Sequence, residues 1–164
     1  MRYFLVAGEA SGDLHASALI RALRAEDPEA SFAFMGGDKM EAAAGVAPIV
    51  HYREVAFMGI VSVVKNLGKL TRIGRQIQAA MRDFAPDVVI PVDYADFNFR
   101  FILPYAKKEL RCPVIYYILP KLWAWRAGRI RQLRRYVDLG LSILPFETNY
   151  FSDRGLRTAY IGNP

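Results

Sequence analysis

The chain has 164 residues, 53% hydrophobic and 23% charged, with a net charge of +6 from 22 basic and 16 acidic side chains. This is enough for one domain with a real core, and too apolar for a disordered chain. The single cysteine, Cys112, excludes an internal disulfide and a cysteine-based metal cluster, and two histidines, His15 and His51, leave no material for a histidine-rich metal site. No apolar run is long enough to span a bilayer. The opening Met1-Arg2-Tyr3-Phe4 lacks the longer apolar region and cleavage site of a signal peptide, so a cytosolic chain is expected.

In chain order, β-like runs are expected at Tyr3–Ala7, Ser31–Met35, Pro48–Val50, Asp87–Val92, Pro113–Ile118, Gly140–Leu144 and Thr158–Ile161. Helical patterns are expected at Asp13–Glu26, Leu70–Phe84, Phe97–Leu110, Arg126–Arg135 and Glu147–Arg154. In the first helix, Leu14, Ala18, Leu19, Ala22 and Leu23 are expected on one face. Alternating strands and helices predict a parallel sheet covered on both faces, and apolar strands such as Val88-Val89-Ile90 fit that burial. In such an open α/β sheet, ligands bind beyond the carboxyl ends of the strands. The loops after the strands are therefore the places to look for chemistry.

The first such loop is "VAGEASGD" (6–13), a corner carrying two carboxylates and a hydroxyl between a strand and a helix. Small residues let a ligand approach the backbone, and a helix N-terminus offers free N–H groups to an anion. Ser11 or Asp13 could cap the helix. The dinucleotide fingerprint is not met, since only Gly8-x-x-x-Gly12 is present. A plain strand-to-helix turn remains the alternative, with Glu9 tilting the balance toward a ligand because a cap needs only one short polar side chain. His15 is expected to face solvent.

The loop "IPVDYADFNFRF" (90–101) sets Asp93 and Asp96 at a strand's carboxyl end. Asp96 precedes a helix and reads as a cap. Asp93 could serve as a general base toward a substrate hydroxyl, or bond its own backbone as a turn aspartate.

Charge is unevenly spread. From Val55 to Arg82 there is no acid, against Lys65, Lys69, Arg72, Arg75 and Arg82. From Leu110 to Val137 there is again none, against Arg111, Lys121, Arg126, Arg129, Arg131, Arg134 and Arg135. Such clusters suit an anionic partner: phosphate, nucleic acid or an anionic membrane surface. Both tryptophans, Trp123 and Trp125, sit in the second cluster, where they pack in the core, stack on bases or sit at a membrane interface. In "FMGIVSVVKNLGKLTRIGRQI" (57–77), Ile60, Val63, Val64, Leu67 and Leu70 recur at helical spacing beside basic residues. A core-facing helix and an amphipathic segment lying in a bilayer interface both fit that pattern.

The motifs "VAGEASGD" (6–13), "FMGIVSVV" (57–64), "PDVVIPVDYADFNFR" (86–100), "LWAWRAGRI" (122–130), "ILPFETNYF" (143–151) and "YIGNP" (160–164), in this order, resemble the lipid-A-disaccharide synthase family. The resemblance implies an α/β fold with a Rossmann-like parallel sheet flanked by helices, the amino-terminal domain of a GT-B glycosyltransferase. It implies transfer of 2,3-diacylglucosamine from UDP-2,3-diacylglucosamine to 2,3-diacylglucosamine 1-phosphate, giving the lipid A disaccharide phosphate and UDP. Carried over by residue, Asp93 matches the proposed general base. Glu9, Ser11, Gly12 and Asp13 match the motif facing the acceptor, with Lys121 and Arg126 as further acceptor contacts. The segment with Met58, Ile60, Val61, Val63, Val64 and Leu67 matches the membrane-contacting part. The family is peripheral on the cytoplasmic face of the inner membrane, so the implied partners are the two lipid substrates and a membrane surface, without nucleic acid. No cofactor and no metal are implied.

Two departures stand out. Leu119 and Lys121 lie where the family commonly has serines, and Lys121 could add a phosphate contact. The resemblance covers only the acceptor-side half, so residues 1–164 are expected to form a single Rossmann-like domain without the carboxyl-terminal UDP-sugar domain. Alone, such a chain is expected to be inactive or very weak; a fragment, a separate domain and one piece of a split enzyme all stay open, with a carboxyl-terminal partner half or a homodimer as the candidate partners. The competing readings are a non-catalytic module binding anionic lipid surfaces and another GT-B relative such as a UDP-sugar epimerase.

Overall fold

The computed structural model describes residues 1–55, 63–122 and 127–162. Met58, Ile60, Val61, Trp123, Trp125 and Arg126 lie outside the described residues, and so do the side chains of Val63 and Val64.

Seven parallel strands are described: β1 (Arg2–Ala7), β2 (Ser31–Gly36), β3 (Val50–His51), β4 (Val88–Val92), β5 (Ile115–Tyr117), β6 (Leu139–Ser142) and β7 (Thr158–Tyr160). They form one sheet in the order β3-β2-β1-β4-β5-β6-β7. All seven expected strands are present, most of them shorter or shifted by one or two residues. The chain starts in the middle, builds outward through β2 and β3, then returns to the other side of β1 with β4. Tyr3 to Ala7 of β1 pair in register with Val88 to Val92 of β4. The order reverses between these two strands, and in doubly wound sheets the crevice at that point is where ligands bind.

Helices cover both faces: α1 (Ala10–Glu26), α2 (Asp38–Ala44), α3 (Val63–Phe84), α4 (Ala95–Phe97), α5 (Leu103–Lys108), α6 (Ile130–Tyr136) and α7 (Pro145–Ser152). Strand alternation divides the core. Phe4 and Val6 of β1 pack with Ile73, Ile77 and Met81 of α3 and with Ile102 and Leu103. Tyr3, Leu5 and Ala7 point the other way, toward Ala16 and Ile20 of α1 and Met40 of α2. Burial on both faces is why the strands are nearly all apolar.

Three expectations change. The buried face of α1 is Gly12, Asp13, Ala16, Ser17 and Ile20, while Leu14 is 46% exposed. Leu19 and Leu23 are partly buried and pack against the core as expected, but the fully buried positions are mostly small residues, which let α1 approach the sheet and α2. Residues 97–110 are not one regular helix: a π-helical turn, Asn98–Ile102, separates α4 from α5. Finally, α2 was not expected. Only its Met40 and Ala44 are buried, so its local pattern is weak, and its N-terminal cap comes from elsewhere in the chain.

Candidate active site

A cavity of about 720 Å³ opens at the carboxyl ends of β1, β4, β5 and β6. Its walls come from the first turns of α1 (Ser11, Gly12, His15), the loop after β4 (Asp93, Ala95, Asp96), the loop after β5 (Ile118 to Leu122), Arg129 before α6, and Ile143 and Glu147 after β6. The sheet thus collects five separated stretches of sequence into one wall.

At the first corner, Glu9 stands in the cap position of α1 with extended backbone, φ −153° and ψ 167°, and no side chain caps the helix. The Ser11 hydroxyl instead donates to Glu9 Oε1 at 2.5 Å. Asp13 is a correction. It neither caps α1 nor lines the cavity, being only 2% exposed. Its Oδ1 accepts from the Gly37 and Met40 backbone N–H groups at 2.7 and 3.1 Å, and its Oδ2 accepts from Lys39 N–H at 3.2 Å. Asp13 therefore caps α2. Direct contact with an acceptor is not available to a carboxylate spent in this way.

The loop after β4 is built on unusual backbone. Asp93 and Tyr94 both have left-handed φ values, 43° and 44°. Ile118, at the end of neighbouring β5, has φ 61°, a region that costs a β-branched residue most. Such conformations persist only where surrounding structure enforces them, and they gather at functional sites. The enforcement at Asp93 is explicit. Its carbonyl accepts from Asn98 Nδ2 at 2.7 Å and from the Tyr116 hydroxyl at 2.5 Å, both side chains being buried. Its N–H donates to the Tyr117 carbonyl at 3.1 Å. The π-helical turn supplies Asn98, and β5 supplies Tyr116. Tyr94 in turn lies over the first corner, where a Cβ on Gly8 would collide with its ring.

Burial pushes the Asp93 carboxyl above its ordinary range. The nearby charge of Glu9 raises it further, and Glu147 adds to the rise, while the Tyr94 backbone N–H and Lys121 pull it down. Burial also raises the Tyr94 hydroxyl, helped by Glu9 and Asp96. A carboxylate with a raised proton affinity, at the edge of a cavity, suits a general base.

Of the residues singled out from sequence, Ser11, Gly12, Asp93 and Lys121 meet at the cavity. Glu9 stays exposed but acts on Asp93 through its charge. Leu67 is 39% exposed on α3 and does not line the cavity. Asp96 does not cap a helix; Arg129 Nη2 pairs with its Oδ1 at 2.6 Å. His15 is half-buried in the cavity wall rather than facing open solvent. Glu147, 0% exposed, is a cavity residue that sequence reasoning passed over. Its signal was available, since it lies in the first turn of the helix that follows β6. Nothing local marked Asn98 or Tyr116. Among the described residues no group of three or more His, Cys, Asp or Glu is placed to hold a metal ion, and no helix is long and apolar enough to cross a membrane.

The same arrangement of sheet and helices occurs in solved structures. UDP-GlcNAc 2-epimerase from Neisseria meningitidis, bound to UDP-GlcNAc, aligns with a TM-score of 0.69 at 14% identity, over 99% of this chain and 46% of that one. Anabaena HepE in complex with UDP-glucose aligns with a TM-score of 0.61 at 14% identity, over 99% of this chain and 44% of that one. The fold is thus the Rossmann-like α/β domain of GT-B type. At these identities the likeness speaks for the fold alone.

Sequence comparison is narrower. The family model for lipid-A-disaccharide synthetase matches residues 3–164. A lipid-A-disaccharide synthase from Myxococcus xanthus is 44% identical over 99% of the chain, and one from Alkalilimnicola ehrlichii is 39% identical over 100% of it. The chain belongs to the lipid-A-disaccharide synthetase family. It spans about two fifths of these relatives, 42% of the length of each.

Proposed function

We propose that this chain is the acceptor-side domain of an inverting glycosyltransferase that joins UDP-2,3-diacylglucosamine to 2,3-diacylglucosamine 1-phosphate. Asp93 is the general base. Its carboxylate takes the proton from the acceptor's 6-hydroxyl as that oxygen bonds to the donor's anomeric carbon. The bond from that carbon to the diphosphate breaks, UDP leaves with the electron pair, and the anomeric centre inverts. Ser11, Gly12, Lys121 and Arg126 contact the acceptor, and Glu9 acts on Asp93 through its charge. Asp13 holds α2 beneath them.

The observation carrying this reading is the enforced left-handed backbone at Asp93, with the carboxyl's proton affinity raised at the cavity. Maintaining that conformation costs of order 1–3 kcal/mol per residue, and here the buried Asn98 and Tyr116 side chains enforce it through the Asp93 carbonyl. Family membership favours this over a non-catalytic lipid-surface module and over an epimerase.

The donor belongs to a second domain, in another part of a longer chain, a partner chain or a second copy. Stabilising the departing diphosphate is a large share of such catalysis, so residues 1–164 alone are inactive or very weak. The whole works at the cytoplasmic face of the inner membrane, with the segment from Met58 to Leu67 meeting the lipid.

Binding in detergent tests the reading. Diacylglucosamine 1-phosphate, the same lipid without phosphate, and a generic anionic phospholipid are titrated into the chain. Saturable binding that prefers the phosphorylated monosaccharide is expected. Equal binding of every anionic lipid would leave only a membrane-surface module.

A further inference from the structure

The cavity is lined by both signs of charge: the acids Asp93 and Asp96 of the β4 loop and Glu147 of α7, and the bases Lys121 of the β5 loop and Arg129 of the turn before α6. Arg129 is the more constrained base. Its guanidinium lies 5.1 Å from the centroid of the Phe99 ring, and Nη2 pairs with Asp96 at 2.6 Å. Its Nη1 is buried and meets no hydrogen-bond partner among the described residues. A buried donor without a partner is costly, so a native structure that keeps one invites a functional explanation.

We infer that Arg129 is the phosphate-recognising group of the cavity, with Asp96 and Phe99 holding its guanidinium in place. The inference rests on the acceptor reading above and names the part of the acceptor that Arg129 takes. A guanidinium held near an aromatic ring and clamped by one carboxylate is fixed in orientation, and its planar fork of N–H groups suits phosphate. A neutral sugar has no use for such a group. A bare phosphate would be repelled by an ionised Asp93. One ligand satisfies both kinds of group: a sugar with a hydroxyl toward Asp93 and a phosphate monoester toward Arg129, with Lys121 as a second cation.

The test uses the chain with 15N-labelled arginine and its Arg129→Gln, Arg129→Lys and Arg131→Gln variants. Disappearance of one guanidinium resonance in the Arg129 variants assigns that side chain, and circular dichroism confirms their fold. Glucosamine 1-phosphate, inorganic phosphate and glucosamine are titrated first, and diacylglucosamine 1-phosphate in detergent second.

Glucosamine 1-phosphate is expected to shift the Arg129 resonance and glucosamine to leave it still. Arg129→Gln should bind both phosphorylated ligands roughly tenfold to a hundredfold more weakly, the loss of a charged hydrogen bond. Arg129→Lys should recover part of this, and Arg131→Gln should match wild type. An inorganic phosphate shift equal to that of glucosamine 1-phosphate would overturn recognition of a sugar phosphate. Phosphate-dependent lipid binding that survives Arg129→Gln unchanged would overturn the assignment while leaving the acceptor reading standing. A resonance that responds to glucosamine 1-phosphate in a chain that ignores the diacylated lipid would do the reverse.

Discussion

Replacing Asp13 with alanine separates the two roles its position suggests. In the structure its carboxylate receives three backbone N–H groups at the start of α2, and Gly37, in the cap position of that helix, offers no side chain of its own. The bonds from Gly37 and Met40 are buried, whereas that from Lys39 is only partly so. Water can therefore rescue Lys39 N–H in the variant but not the other two. Two buried donors left unsatisfied, at about 1–3 kcal/mol each, give a loss centred on roughly 3–4 kcal/mol. For a chain of this size that lowers Tm by about 10 °C. Asp13→Asn keeps one acceptor oxygen for Gly37 and Met40 and loses the Lys39 bond and the charge at the helix N-terminus, a cost of about 1–2 kcal/mol. Urea unfolding followed by circular dichroism measures both. Alanine within about 0.5 kcal/mol of wild type would refute the capping argument and return Asp13 to the candidates for direct ligand contact.

Two further outcomes follow from the loop after β4. Because the Asp93 carboxyl is held above its ordinary range, the folded state binds its proton more tightly than the unfolded chain, whose value lies near about 3.9. The charge therefore costs stability at neutral pH, and that cost fades as pH falls through the raised pKa toward the unfolded one. Asp93→Asn should unfold at higher temperature than wild type at about pH 7, with the gap closing by about pH 4; a gap independent of pH would contradict this. Gly8→Ala drives a methyl group into the Tyr94 ring and should cost about 1–3 kcal/mol by overpacking. Adding Tyr94→Ala should remove that clash, so strictly additive losses in a double-mutant cycle would show that the two residues do not share the space.

Much of the fold was legible in the linear chain. Short apolar runs alternating with helical periods predict a parallel sheet covered on both faces, because hydrophobic patterning is a local record of burial. The strand-end rule likewise points to the loops holding Ser11, Gly12, Asp93 and Lys121, since the carboxyl end of a strand is read directly from its direction. What the linear chain could not carry were relations between distant backbones. Asp13 caps a helix that starts 25 positions later, and no local pattern announces a cap delivered across a helix pair. The fully buried positions of α1 follow from how closely small residues let it approach its neighbours, with Leu19 and Leu23 packed only partly buried beside them. The left-handed turn at Asp93 exists because Asn98 and Tyr116, from a π-helical turn and a neighbouring strand, converge on one carbonyl oxygen. The raised proton affinity of Asp93 follows from burial and from Glu9 and Glu147, which lie 84 and 54 positions away in the chain. Local chemistry chose the residue types and their spacing. The packing of β1, β4, β5 and β6 side by side decided which of those residues face one another, because electrostatics and hydrogen bonding depend on distance in space and not on separation along the chain.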